Sequence, residues 1–95
     1  MTLRDLANKP GTTIIDVREP WEFAAGHIDG AINIPLDTLK ADLTAIDRYP
    51  KPVLLVCESG NRSRQAHDLL VAKGIAQVYD AGPWRDVRNM IFRTH

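Results

Sequence analysis

Apolar residues recur along this chain with two different periods. The runs Thr13 to Val17, Ala31 to Ile34, Val53 to Val56 and Ala76 to Tyr79 carry no helical spacing and lie among turn formers such as Pro10-Gly11, Pro52 and Gly74. That pattern predicts short strands, the Val53 run being buried on both faces. Between them the spacing changes. Leu36, Leu39, Leu43 and Ile46 follow Pro35 at intervals of three, four and three, which predicts one polar-faced helix. Ala66, Leu69, Leu70 and the stem of Lys73 predict another, with Ser63 placed to cap it. Thr2 and Asp5 have capping-box spacing for a short helix from Leu3 to Ala7. Pro20 suits the first turn of a helix over Trp21 to Ala25, and a last short helix is expected around Asp86 to Ile91.

Strands alternating with helices predict an α/β fold: a central, mostly parallel sheet of about four or five short strands with helices on both faces. In such folds ligands sit at the carboxyl ends of strands. The chain has 95 residues, 44% of them hydrophobic, which suffices for a single domain with one core over residues 1–95. Twelve basic and twelve acidic side chains cancel and no basic run occurs, so neither nucleic acid nor an anionic membrane is an expected partner. Met1 to Lys9 lacks a long apolar core, so no signal peptide or anchor is predicted there and the cytoplasm is the expected location. No His, Cys and carboxylate cluster has metal-ligand spacing, so neither a metal nor a cofactor is expected.

The single cysteine, Cys57, excludes an internal disulfide and a CxxC redox pair. It falls where the Val53 strand should end, ahead of Ser59, Gly60 and Asn61, which are turn formers, and of a predicted helix. Unpaired N–H groups at a helix amino terminus, with the helix dipole, favour an anion in the loop, either a thiolate or an oxyanion substrate. Arg62 adds a permanent charge with a planar donor fork. Together these predict a Cys57 thiol more acidic than a free one. The competing reading is an inert cysteine acting as a small core hydrophobe. The loop that follows argues against it, because an inert cysteine has no need of an anion-holding turn.

Three separated segments carry a family resemblance: Ile15-Asp16-Val17-Arg18-Glu19, Gly26-His27-Ile28-Asp29-Gly30-Ala31-Ile32-Asn33-Ile34-Pro35, and Cys57-Glu58-Ser59-Gly60-Asn61-Arg62-Ser63. In this order they resemble a single-domain rhodanese over nearly the whole chain. The resemblance implies a rhodanese-like fold and sulfurtransferase chemistry, in which Cys57 accepts a sulfane sulfur from thiosulfate or another persulfide donor. The sulfur would pass from a Cys57 persulfide to a thiol or cyanide-type acceptor, possible thiols being of the thioredoxin or glutathione type. It also implies that the loop amides of Glu58, Ser59, Gly60, Asn61, Arg62 and Ser63 cradle the sulfur, and that Arg62 steers the donor anion. With one cysteine there is no resolving partner in the subunit, so an outside acceptor must discharge the persulfide.

Loop length bears on the chemistry. Related phosphatases and arsenate reductases place five residues between cysteine and arginine, whereas four separate Cys57 from Arg62 here. A shorter ring of donors suits a sulfur better than a tetrahedral phosphate. Ester hydrolysis also needs a proton donor for the leaving oxygen, and Glu58 alone could serve within the loop. Sulfur transfer from thiosulfate needs none, because sulfite leaves readily and the thiolate is already nucleophilic. Glu58 departs from the neutral or basic residue usual in this family's second loop position. Facing solvent, it would cost an approaching dianion on the order of a kcal/mol and favour a persulfide donor over thiosulfate. The other reading of the chain is a non-catalytic binding or persulfide-sensing module of the same fold. Oligomeric state is left open.

The remaining motifs read as structure. Asp16 and Arg18 are expected to pair beside the loop, and His27 to pack and hydrogen-bond at a turn. Trp84 would either border the cysteine pocket or seal the core edge. Pro83 stands where the family often has a second glycine, which predicts an altered pocket rim.

Overall fold

The computed structural model describes residues 1–92. Its strands are β1 (Thr13–Asp16), β2 (Ile32–Asn33), β3 (Val53–Cys57) and β4 (Val78–Pro83). Its α-helices are α1 (Leu3–Asn8), α2 (Pro20–Ala25), α3 (Leu36–Ala41), α4 (Asn61–Ala72) and α5 (Trp84–Met90), and a 3-10 helix spans Leu43–Arg48. The sheet has four strands in the order β2-β1-β3-β4, and every neighbouring pair is parallel.

All five residues of β3 are buried, as expected of an interior strand covered on both faces. Successive side chains of a strand point to opposite faces. Val53, Leu55 and Cys57 join Leu39, Ile46, Ala66 and Leu70 in one core, whereas Leu54 and Val56 join Leu6, Trp84 and Val87 in the other. The sulfur of Cys57 is therefore on the α4 side of the sheet.

Several elements differ from the sequence-based expectation. The helix after Pro35 is interrupted at Asp42, whose backbone is non-helical (φ −151°, ψ 82°) and whose carboxylate accepts a 2.8 Å hydrogen bond from Thr44 Oγ1. Such local side-chain bonding competes with a helix. The chain resumes as the 3-10 turn, and Leu39 and Ile46 still reach the same core. β4 begins later than Ala76 because Gln77 takes a left-handed conformation (φ 59°), incompatible with a strand. It continues to Pro83 through a bulge in which Leu55 pairs with Asp80 and Val56 with Gly82, leaving Ala81 extra. Consequently α5 starts at Trp84 rather than Asp86. On α4, Ala66 and Leu70 are buried but Leu69 and Lys73 are exposed, so the apolar stripe is narrower than the spacing suggested.

The amino-terminal helix forms as read. Thr2 Oγ1 accepts from the Asp5 N–H and Asp5 Oδ2 from the Thr2 N–H, at 3.1 and 3.0 Å, completing the capping box. Among the described residues no helix is long and apolar enough to cross a membrane.

Candidate active site

The loop from Cys57 to Ser63 joins the end of β3 to the start of α4. Gly60, not Ser63, is the N-cap, with φ 100°. Only glycine adopts that conformation without steric cost, so the residue that turns the chain into α4 is fixed by backbone geometry. The turn directs the Gly60 N–H at Cys57 Sγ, 3.0 Å away. Ser63 lies within the first helical turn, fully buried, with its Oγ 3.5 Å from Sγ. Cys57 itself is 1% exposed.

The structure thus brings Cys57, Gly60 and Ser63 together. Ser59 and Asn61 are exposed on the loop surface. Arg62 leans toward α2, where its Nη1 and Nη2 donate to Glu22 Oε1 and Oε2 at 2.5 and 2.9 Å. A bidentate guanidinium–carboxylate pair is strong and fixes orientation. The Arg62 hydrogen bonds hold the Glu22 carboxyl well below its ordinary value, at about 2, and Glu22 in turn makes Arg62 harder to deprotonate.

Glu58 is half-exposed and turned toward α5. Its carboxylate accepts from Arg85 Nη1 and from Trp84 Nε1, the latter at 3.2 Å, and lies 3.5 Å from Arg18 Nη1. These bonds, Arg85 first, lower its pKa. The free negative charge expected at the loop mouth is therefore compensated by two guanidinium groups, which removes the physical basis for repelling a dianion.

Arg18 organises the wall behind Glu58. It is 2% exposed and bonded to Asp16 through Nε and Nη2, at 3.0 and 2.8 Å, and to the Gly26 carbonyl at 2.7 Å. Asp16 and Arg18 form the expected buried pair, satisfied on all sides, and Asn33 Nδ2 ties the Asp16 and Arg18 carbonyls together. His27 stacks on Phe23 with ring centroids 3.7 Å apart and bonds the Phe23 carbonyl at 2.7 Å, a turn-packing role. Trp84 does both things proposed for it: it is 3% exposed in the second core, and its indole N–H reaches the loop.

Three residues of the site were not singled out in the sequence, one of them Arg85, which pairs with Glu58 from 27 positions away. Asp80 accepts from Ser63 Oγ at 2.7 Å and from the Gly82 N–H at 3.1 Å. Glu22 clamps Arg62 across the domain. Each pairs with a residue at least 17 positions away, and a single sequence carries no signal for such pairs. No group of His, Cys, Asp and Glu that could hold a metal occurs among the described residues.

The chemistry this arrangement permits is anion stabilisation at sulfur. The Gly60 N–H aimed at Sγ is placed to stabilise negative charge that develops on the sulfur during a reaction. Among the described residues, the side chain hydrogen-bonded to the cysteine is that of Ser63, which leads on to Asp80.

Comparison with known proteins gives a consistent picture. The family described as "Rhodanese-like domain" matches residues 2–82. The chain is 48% identical over 67 residues to the Bacillus subtilis protein YqhL, covering 70% of this chain but only 52% of that one, so it spans about half the length of this relative. It is 39% identical over 75 residues to thiosulfate sulfurtransferase GlpE of Pseudomonas putida, covering 79% of this chain and 67% of that one. Among solved structures, a rhodanese with anions from E. coli superimposes with a TM-score of 0.70 at 34% identity, covering 79% of this chain and 89% of the other.

Proposed function

This chain belongs to the rhodanese-like domain family, and from that premise we propose that it is a sulfurtransferase in which Cys57 is the nucleophile and sulfur carrier. The Cys57 thiolate attacks the outer sulfur of thiosulfate, the S–S bond breaks, and sulfite leaves with the bonding electron pair. Cys57 is left as a persulfide. An acceptor thiolate then attacks the outer sulfur, and Cys57 departs as a thiolate.

The observation that carries this reading is the 3.0 Å contact from the Gly60 N–H to Sγ, made at a turn only glycine accommodates without strain. It supports negative charge on sulfur at the start and end of each transfer. The remaining loop amides, from Glu58 to Ser63, are the groups available to hold the transferred sulfur, and Arg62, already occupied by Glu22, supplies field rather than direct contact. The donor is thiosulfate or another persulfide, the acceptor a small or protein thiol, and the site of action the cytoplasm.

The burial of Cys57 at 1% exposure favours one other reading, a binding or persulfide-sensing module with little turnover. Intact mass of the reduced protein after incubation with thiosulfate, or with a low-molecular-weight persulfide, tests both. A gain of one sulfur, about 32 Da, absent in Cys57→Ser and removed by added thiol, is expected of the carrier. No gain with either donor rejects it. Gain without multiple turnover in the presence of excess thiol selects the sensor.

A further inference from the structure

Two sets of ion pairs flank the Cys57 loop, and each is closed on itself. Glu58 is held by Arg85 and Arg18, and Arg18 also by Asp16. Arg62, in the first turn of α4, is held by Glu22 of α2. In these pairs three guanidinium groups meet three carboxylates, so their charges cancel. The second set has the sharper consequence for an incoming anion, because Arg62 is the one cation of the segment Cys57 to Ser63.

Glu22 reaches Arg62 from a fixed position. It is the N3 residue of α2, and its Oε1 accepts a 3.0 Å hydrogen bond from the Glu19 N–H, one half of a capping box. Arg18 donates to the Glu22 carbonyl at 3.3 Å and to the Gly26 carbonyl at 2.7 Å, which ties α2 to the wall behind the loop. The Glu22 side chain is 14% exposed, so water screens the pair only in part. Two of the five N–H donors of Arg62 go to Glu22, and the others are not consumed by it. What Glu22 withdraws is the charge. A guanidinium beside a carboxylate presents a dipole, whose field falls off faster with distance than that of a free cation. Arg62 is harder to deprotonate because of Glu22 first, and also because of charge on Cys57, so it lies within electrostatic reach of the sulfur.

We propose that Glu22 is a specificity-determining residue: by cancelling the charge of Arg62 it denies a dianionic sulfur donor the attraction that a free Arg62 would give, and so shifts the Cys57 site toward donors of single negative charge. The proposal rests on the sulfurtransferase reading and deepens it by naming the donor class. Glu22 touches neither the donor nor the sulfur. It acts through Arg62, and it sets how much of that side chain's field is left at the loop.

The probes are thiosulfate, a dianion, and methanethiosulfonate, a monoanion in which a methyl group replaces one charged oxygen. With either, the Cys57 thiolate attacks the outer sulfur, the S–S bond breaks, and sulfite or methanesulfinate leaves with the bonding electron pair. The second-order rate of sulfur gain, followed by intact mass, is compared for the two donors in the wild type, Glu22→Gln, Arg62→Gln and the double variant. Glutamine at position 22 keeps an acceptor for the Glu19 N–H and for Arg62 while removing the charge. The thiosulfate-to-methanethiosulfonate rate ratio is expected to rise roughly three- to tenfold in Glu22→Gln and to fall by a similar factor in Arg62→Gln, where Glu22 is left uncompensated. In the double variant it should return to near the wild-type value. Loss of a merely structural clamp would instead slow both donors alike and leave the ratio where it was. A ratio unchanged in either single variant, or not restored in the double, overturns the proposal. Should circular dichroism show that Glu22→Gln does not fold, Arg62→Gln alone decides, a lowered ratio supporting the proposal and an unchanged one overturning it. Sulfur gain from neither donor in the wild type rejects the sulfurtransferase reading itself, so the two failures are told apart.

Discussion

Ser63 Oγ donates a 2.7 Å hydrogen bond to Asp80 Oδ1 while standing 3.5 Å from Cys57 Sγ. A hydroxyl has one proton to give, so with that proton committed to Asp80 it faces the sulfur as an acceptor. The thiol can donate to it. The sulfur gains a hydrogen bond from Ser63 only if the hydroxyl turns away from Asp80 and from its other acceptor, the Gly60 carbonyl at 3.1 Å.

Asp80→Ala is therefore expected to speed iodoacetamide alkylation of Cys57 at neutral pH by about two- to tenfold, the equivalent of one redirected hydrogen bond. Asp80→Asn keeps an acceptor for Ser63 but not the charge, and should fall between Asp80→Ala and the wild type. Alkylation rates unchanged in both variants would show that the Ser63 proton does not control the sulfur.

The Glu22–Arg62 pair makes a pH prediction. Glu22 has a folded pKa of about 2, below its ordinary 4.5, so its stabilising contribution is present above pH 4.5 and fades as the pH falls toward 2. With screening by solvent this amounts to on the order of 1–2 kcal/mol. Thermal melts of the wild type should lose stability over that acid window more steeply than those of Glu22→Gln. Parallel curves would assign the acid loss to other carboxylates.

Glu58 neutralises part of the Arg18 and Arg85 charge. Glu58→Gln leaves both guanidinium groups with more net field at the loop, and a thiosulfate dianion should load Cys57 several-fold faster. The gain should shrink as salt is raised. A slower, salt-independent rate in Glu58→Gln would mean that the carboxylate acts by holding Trp84 and Arg85 in place.

Gly60 occupies φ 100° with its amide on the sulfur. Gly60→Ala is expected to cost about 1–3 kcal/mol of stability in denaturant melts and to slow sulfur loading more than any exposed loop substitution. Unaltered stability would mean that the loop relaxes to another turn.

Much of the architecture is legible in the residue order because periodicity reports which face is buried. The Val53 run, short, fully apolar and bounded by Pro52, reads as a strand covered on both sides, and Thr2 with Asp5 specifies a helix start by local hydrogen bonds. The errors occur where a local conformation overrides the pattern. Asp42 breaks a helix that the spacing of Leu36, Leu39, Leu43 and Ile46 makes continuous, because Asp42 and Thr44 prefer to bond each other. Gln77 delays β4, and the bulge at Ala81 carries it through Gly82-Pro83, a dipeptide that otherwise reads as a turn.

The candidate site divides along the same line. Cys57, Gly60 and Ser63 lie within seven residues, so the strand–loop–helix pattern was enough to bring them together, although Gly60 rather than Ser63 proves to be the cap. The amino-acid order by itself determined the strand end, the tight turn and the family-defining loop, because those depend on backbone propensities and spacing. Only the tertiary structure decided the partners: Glu22 for Arg62, Asp80 for Ser63, and Trp84, Arg85 and Arg18 for Glu58. Those contacts join α2, α4, β4 and α5 to the loops that carry Arg18 and Glu58, and their charges balance by distances that no linear pattern encodes.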